Sequence, residues 1–135
     1  MYSRVYVEIT NICNMKCSFC HGHSRMPRQM TEAEYEHILE QLAGKTQYIY
    51  HHLMGEPLVH PLLPRFIQMA CQKDFHPMIT TNGTLLDRCG DALIVPGLHK
   101  VKSLCTVLKG ISWMPTSGIF VKWRILPKEP TRQEF

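Results

Sequence analysis

Cys13, Cys17 and Cys20 stand in the run Cys13-Asn14-Met15-Lys16-Cys17-Ser18-Phe19-Cys20, a C-x3-C-x2-C spacing. The run follows the strand-like segment Val5-Tyr6-Val7-Glu8-Ile9-Thr10. Iron–sulfur clusters are held by cysteine thiolates. Three thiolates on one tight loop can hold three corners of a four-iron cluster and leave the fourth iron without a protein ligand. An open metal position is what separates catalytic metal sites from closed structural ones. Other chemistries compete for the same residues. Cys13, Cys17 and Cys20 with His21 or His23 would make a Cys3His zinc set. Cys17-Ser18-Phe19-Cys20-His21 also matches the C-x-x-C-H of c-type haem attachment. That attachment is expected outside the cytoplasm, whereas the N-terminus lacks the basic and apolar segments of a secretory signal. A disulfide framework suits small secreted chains better than a cysteine triplet like this one.

Residues that do chemistry need elements to hold them, and the chain alternates strands and helices. A first strand is expected over residues 4–10, ahead of the cysteine loop. Thr31-Glu32-Ala33-Glu34 has the capping-box pattern that opens a helix. Ile38, Leu39, Leu42 and Ala43 give that helix an apolar face, and Gly44 sits where a C-terminal cap belongs. A second strand is expected over 46–53 and a second helix over 61–73, with its prolines in the first turn, where a missing N–H is harmless. Leu62, Leu63, Phe66, Ile67 and Ala70 form its core face. A third strand over 77–81 runs into Asn82-Gly83, a turn signal. A third helix is expected over 85–94, and 99–104 reads as the start of a fourth strand. Such alternation predicts βαβ units and a parallel sheet, with right-handed crossovers.

Two further motifs fall at strand ends. Met54-Gly55-Glu56-Pro57 closes the second strand and Thr80-Thr81-Asn82-Gly83 closes the third. Glycine permits close backbone approach, and a carboxylate accepts well from an ammonium group. Alone, each motif reads as a turn; their weight comes from sharing one rim with the cysteine loop. In (β/α) barrels that rim is where active sites are built. His51, His52 and His60 bracket the second motif, and successive strand residues point to opposite faces, so only one of His51 and His52 can face a barrel interior. The plainer reading of each is a satisfied core or rim histidine. His21, His23, Arg25 and Arg28 could hold a cluster's charge or a substrate anion, although solvated loop residues are the plainer reading.

The cysteine run, with the aromatic Phe19 before its third cysteine, resembles the signature of the radical S-adenosylmethionine (SAM) enzymes. Met54-Gly55-Glu56-Pro57 resembles that family's glycine-glycine-glutamate-proline segment, with Met54 in place of the first glycine. Thr80-Thr81-Asn82-Gly83 resembles its third-strand end. The resemblance covers residues 2–96. It implies an α/β fold, a partial (β/α)6 barrel of about three βα units plus the start of a fourth strand. It implies a 4Fe-4S cluster on Cys13, Cys17 and Cys20, with the open iron binding SAM. An electron then splits the sulfonium and makes a 5'-deoxyadenosyl radical that acts on a substrate. Phe19 is expected by the adenine, Gly55, Glu56 and Pro57 at the methionyl end, and Thr80 and Asn82 near the sugar. A flavodoxin or ferredoxin is the implied low-potential electron donor. A non-catalytic iron–sulfur or zinc-binding module is the alternative.

Composition agrees with a single soluble domain, expected in the cytoplasm: 135 residues, 44% hydrophobic and 19% charged, with no apolar run long enough to span a membrane. Cys71, Cys89 and Cys105 are unclustered and read as buried thiols. Charge is uneven. Residues 1–96 hold eight Lys+Arg and nine Asp+Glu, whereas 97–135 hold seven and two, along with both tryptophans. A basic aromatic stretch could contact nucleic acid, but a solvated end is the plainer reading and no nucleic-acid partner is expected. The expected division is 1–101 as the N-terminal half of the core domain and 102–135 as a basic tail. With codons that Lys102 to Ile111 permit, a one-base shift reads V-S-L-H-S-F-E-G-N, similar to the family's fourth strand. The tail is therefore expected to be out of frame on a truncated family member, the alternative being a divergent extension.

Overall fold

The computed structural model describes residues 1–17, 20, 22, 24–89, 98–103, 111–116 and 119–124. Strands β1 (Val5–Tyr6), β2 (Tyr48–His51), β3 (His76–Thr81) and β4 (Lys100–Ser103) form one parallel sheet in the order β1-β2-β3-β4. Helices α1 (Glu32–Leu42), α2 (Leu63–Gln72) and α3 (Leu86–Cys89) fall between successive strands, with a 3-10 turn at Pro57–Val59. The sequence order of elements is thus the expected one: an α/β sheet of three βα units and a fourth strand, a barrel that does not close. In the tail, read from sequence as a basic end without elements, β5 (Ile111–Thr116) and β6 (Ile119–Arg124) pair as an antiparallel ribbon.

β1 is shorter than the alternation predicts, and the cause is local. The Val7 amide still donates to the Tyr50 carbonyl at 2.8 Å, but beyond it the chain pairs with its own returning limb. Met30 N donates to Ile9 O at 2.8 Å, and Thr10 bridges Gln29 in the antiparallel sense. The strand leaves the sheet because its hydrogen bonds are taken up by the base of the cysteine loop.

The capping box of α1 forms as its sequence requires. Glu34 N donates to Thr31 Oγ1 at 3.3 Å, and Thr31 N donates to Glu34 Oε2 at 2.8 Å. The helix buries Tyr35 and Leu39, with Ile38 and Leu42 partly buried. Ala43 is exposed, outside the face assigned to it, because it is the C-cap and the helical rotation has ended. In α2 the buried face is Leu63, Phe66, Ile67, Met69 and Ala70. Leu62 is 37% exposed, against expectation. It is the N-cap residue, and its amide is turned back to His60 Nδ1 at 3.0 Å.

These helices pack on the face of the sheet that carries Val7, Ile9, Ile49 and Ile79. Tyr35 of α1 stacks on Phe66 of α2, ring centroids 4.3 Å apart, which locks the two helices together. Fully burying a side chain such as Phe66 or Ile49 contributes about 1.5–3 kcal/mol. One polar group enters this layer. His51 is fully buried, and its Nε2 meets the Tyr35 hydroxyl at 2.6 Å while its Nδ1 lies 3.2 Å from the Met78 carbonyl. A carbonyl only accepts, so Nδ1 carries the proton and Nε2 accepts from Tyr35. His51 therefore faces the helices. The opposite face carries Tyr6 and Tyr50, ring centroids 5.2 Å apart, with His52 6.1 Å from Tyr6.

Burial holds His51 neutral in the folded chain, down to a pKa of about 4. The unfolded chain takes up that proton near the ordinary histidine value of about 6.5. Between the two values the unfolded state binds more protons, so stability falls as pH falls, by up to about 1.4 kcal/mol per pH unit for this one group. Denaturant unfolding followed between pH 7.5 and 5 is expected to show that slope in the parent chain. The double variant Tyr35→Phe, His51→Leu removes both polar groups together and is expected to flatten it.

Candidate functional site

The cysteine loop is closed at its base by two residues that precede the first cysteine. Asn11 Nδ2 donates to the Met26 carbonyl at 2.9 Å, and Asn11 Oδ1 accepts from Arg28 N at 2.7 Å. Thr10 Oγ1 accepts from Ile12 N at 3.1 Å and donates to the Arg28 carbonyl at 3.3 Å. Thr10 and Asn11 are both buried, so these bonds satisfy polar groups that would otherwise be costly. Between the two limbs lie Cys13, exposed, Cys17, half-buried, and Cys20, exposed, none of them in a disulfide. Cys20 N donates to Cys17 O at 3.1 Å, which draws the second and third cysteines together. Phe19, expected by the adenine, lies outside the described residues, as do His21 and His23 of the zinc and haem alternatives.

Among the described residues no group of three His, Cys, Asp or Glu side chains is placed to hold a single metal ion. The donor set itself suits a cluster: three free thiols, exposed or half-buried, on one clamped loop. Arg25 and Arg28 are engaged by carboxylates. Arg25 Nη1 pairs with Glu8 Oε1 at 2.7 Å, and Arg28 pairs with Glu34.

The second motif is built into this loop. Gly55 has φ +84°, and a Cβ there would lie 2.4 Å from the Thr10 carbonyl oxygen and 3.0 Å from Asn11 backbone atoms. Only a glycine lets the β2 rim press against the loop base. Glu56 N then donates to the Ile12 carbonyl at 2.8 Å. The Met54 amide donates to Glu8 Oε2 at 3.1 Å, so Glu8 joins the β2 rim to Arg25 of the loop. Leu53, just before, has φ 131°, a strained value for a non-glycine residue.

Glu56 itself is 1% exposed. Its Oε1 accepts from Leu58 N at 3.0 Å and from Thr81 Oγ1 at 2.6 Å, and its Oε2 accepts from Asn82 N at 2.6 Å. One carboxylate thus ties the second motif to the third. Pro57 is buried at the start of the 3-10 turn. Thr80 is half-buried and Thr81 buried, the two pointing to opposite faces of the sheet. The Asn82 side chain turns towards the cysteine loop. Its Nδ2 lies 2.9 Å from Asn14 Oδ1 and 3.9 Å from Cys13 Sγ.

The structure therefore brings Cys13, Gly55, Glu56 and Asn82 into one connected rim. Of the histidines, His51 is core, and His60 Nε2 donates to Met30 O at 2.9 Å while its Nδ1 caps Leu62. Sequence reasoning missed Glu8, Asn11, Asn14, Thr81 and Thr84. Thr81 had a signal: the two-residue period places it on the same face as Ile79, beneath the rim.

The model of the Radical SAM superfamily matches residues 7–110 of this chain. GTP 3',8-cyclase of Chlorobaculum tepidum (strain ATCC 49652 / DSM 12025 / NBRC 103806 / TLS) is 34% identical over 101 residues, covering 72% of this chain and 31% of the relative. The S-adenosylmethionine-dependent nucleotide dehydratase of Selenomonas ruminantium is 30% identical over 88 residues, covering 64% and 32%. The chain thus spans about a third of the length of these relatives. Among solved structures, BtrN in complex with AdoMet and 2-DOIA superposes with a TM-score of 0.63 at 29% identity, over 75% of this chain and 44% of that one. A parallel sheet with all three motifs on its rim is what this match predicts, and the protein belongs to the radical SAM superfamily.

Proposed function

We propose that residues 1–101 form the N-terminal half of a radical SAM active site, with Cys13, Cys17 and Cys20 as ligands of a 4Fe-4S cluster. Such a cluster with bound SAM supplies reductive cleavage of the sulfonium and a 5'-deoxyadenosyl radical. The chain's own residues bind and aim these groups, since the cofactors carry the chemistry. Phe19 stands by the adenine, and the rim of Gly55, Glu56 and Pro57 takes the methionyl end. Thr80 and Asn82 lie towards the sugar. Because the Glu56 carboxylate is spent on Leu58, Thr81 and Asn82, its part is to hold the strand edges in place. A substrate sits on the sheet face that carries Tyr6, Tyr50 and His52. The electron comes from a flavodoxin or ferredoxin in the cytoplasm; no helix among the described residues is long and apolar enough to cross a membrane.

The observation that carries this reading is the connected rim: a glycine that fits only against the cysteine loop, and a buried glutamate that fits only against the third motif. On the same footing, residues 102–135 are an out-of-frame tail, a reading supported by the charge step at 97–135. The gene sequence tests it, and a frame that cannot encode the shifted strand would exclude it.

Anaerobic reconstitution tests the main reading. The expected result for the 135-residue chain is about four irons with matching sulfide per chain, and little or no 5'-deoxyadenosine from SAM and a strong reductant, because this chain spans about a third of the length of its relatives. Zinc without iron would overturn it in favour of a structural metal module. Iron retention by glycine variants tests the rim. Gly55→Ala drives a Cβ into the Thr10 carbonyl and is expected to lose most of the bound iron. Gly44→Ala is the control: its φ is +73° but its Cβ meets nothing within 4 Å. It is expected to cost about 1–2 kcal/mol in denaturant unfolding and to retain the iron.

A further inference from the structure

Asn82, Asn14 and Thr84 close a hydrogen-bonded ring. Asn82 Nδ2 donates to Asn14 Oδ1 at 2.9 Å, Asn14 Nδ2 donates to Thr84 Oγ1 at 2.9 Å, and the Thr84 hydroxyl donates to Asn82 Oδ1 at 2.7 Å. The backbone fixes the direction. Thr84 N, which can only donate, points at Asn82 Oδ1 at 3.0 Å, so the amide nitrogen must face the cysteine loop. With both acceptor positions on Thr84 and one N–H on Asn14, a single N–H of Asn82 remains, and among the described residues the acceptor in its reach is Cys13 Sγ at 3.9 Å.

The anchoring of this amide is more than the ring. Asn82 N is held by the buried Glu56 carboxylate at 2.6 Å, and Gly83 N is held by Thr81 Oγ1 at 3.0 Å. The side chain is thus positioned from both ends, at the β3 rim and at the loop. A side chain meant only to terminate a strand needs neither the link to Asn14 nor an amide directed at a sulfur.

We propose that Asn82 is a positioning residue that sets the reduction potential of the cluster through an N–H···S hydrogen bond to the Cys13 thiolate. This rests on the cluster reading above. Hydrogen bonds to the ligating sulfurs are among the factors that set such potentials. A donor stabilises the extra negative charge of the reduced state more than that of the oxidised state, so it makes reduction easier. A thiolate is a better acceptor than a thiol, and the contact strengthens when the sulfur is charged. The inventory also limits Asn82 at the sugar: its side chain has no donor left over for a ribose hydroxyl.

The test is a redox titration of the reconstituted full chain, followed by electron paramagnetic resonance, in the parent and in Asn82→Leu. The variant is expected to bind the same iron and sulfide but to be about tenfold harder to reduce at a given potential, a shift of 59 mV to more negative values for one electron. Equal iron and sulfide with an unchanged potential would overturn the proposal and leave the cluster reading intact. A parent chain that forms no four-iron cluster would overturn the cluster reading and this proposal with it. Should the variant fail to take up a cluster, the parent decides alone. With asparagine labelled by nitrogen-15 in its side-chain amide, the reduced cluster is expected to show a coupled nitrogen in electron–nuclear double resonance, and its absence would overturn the proposal.

Discussion

The carboxylate of Glu56 is the constraint on which the rim depends. It is buried at the meeting point of β2, β3 and the 3-10 turn, and it accepts from the Leu58 amide of that turn, the Asn82 amide of the third motif and the Thr81 hydroxyl. Hydrogen bonds to a charged group contribute about 1.5–3 kcal/mol each, and a buried donor stripped of its acceptor costs a further penalty. Three donors therefore commit to one position, and the ends of two parallel strands are fixed relative to each other. The sheet alone would not do this, because ladder bonds stop where the strands end.

The cysteine loop is the third part of the same construction. Its described residues lie in no helix or strand, and its base supplies the hydrogen bonds that tie it down. Thr10 and Asn11 bind the returning limb at Met26 and Arg28, and Gly55 presses the β2 rim onto the same two residues. Glu8 adds a second tie, between the Met54 amide and Arg25. Long-range contacts thus hold a loop whose described residues are largely exposed. This division suits the proposed cluster site: the base is hydrogen-bonded, and the thiols are exposed or half-buried.

The helix layer beneath has a different logic. Tyr35, Phe66, Leu39 and Ile49 supply apolar burial, and His51 is the polar exception. Its tautomer is set by Met78 and Tyr35, so it behaves as a satisfied core group with a stability cost only in acid. The histidine beside it, His52, lies on the opposite face with Tyr6. A one-residue step along a strand therefore separates a structural imidazole from one available to a ligand.

Much of the architecture was legible in the residue pattern. Capping at Thr31, the apolar stripe of α2 and the alternation of β2 and β3 are local properties, and local physics is written in neighbouring residues. The C-x3-C-x2-C spacing and the order of the three motifs identified the family on the same ground. What the sequence by itself could not decide was which side chains those motifs spend on each other. Gly55 was expected to permit close backbone approach, and its missing Cβ makes room for the Thr10 carbonyl. The oxygens of Glu56 accept from the Thr81 hydroxyl and from two backbone amides, links that its place in the motif does not announce. The link between Asn14 and Thr84 carried no signal, because the two lie seventy positions apart along the chain. Spacing determines which residues arrive at the rim; only the packed sheet decides their distances, and hydrogen bonds depend on distance.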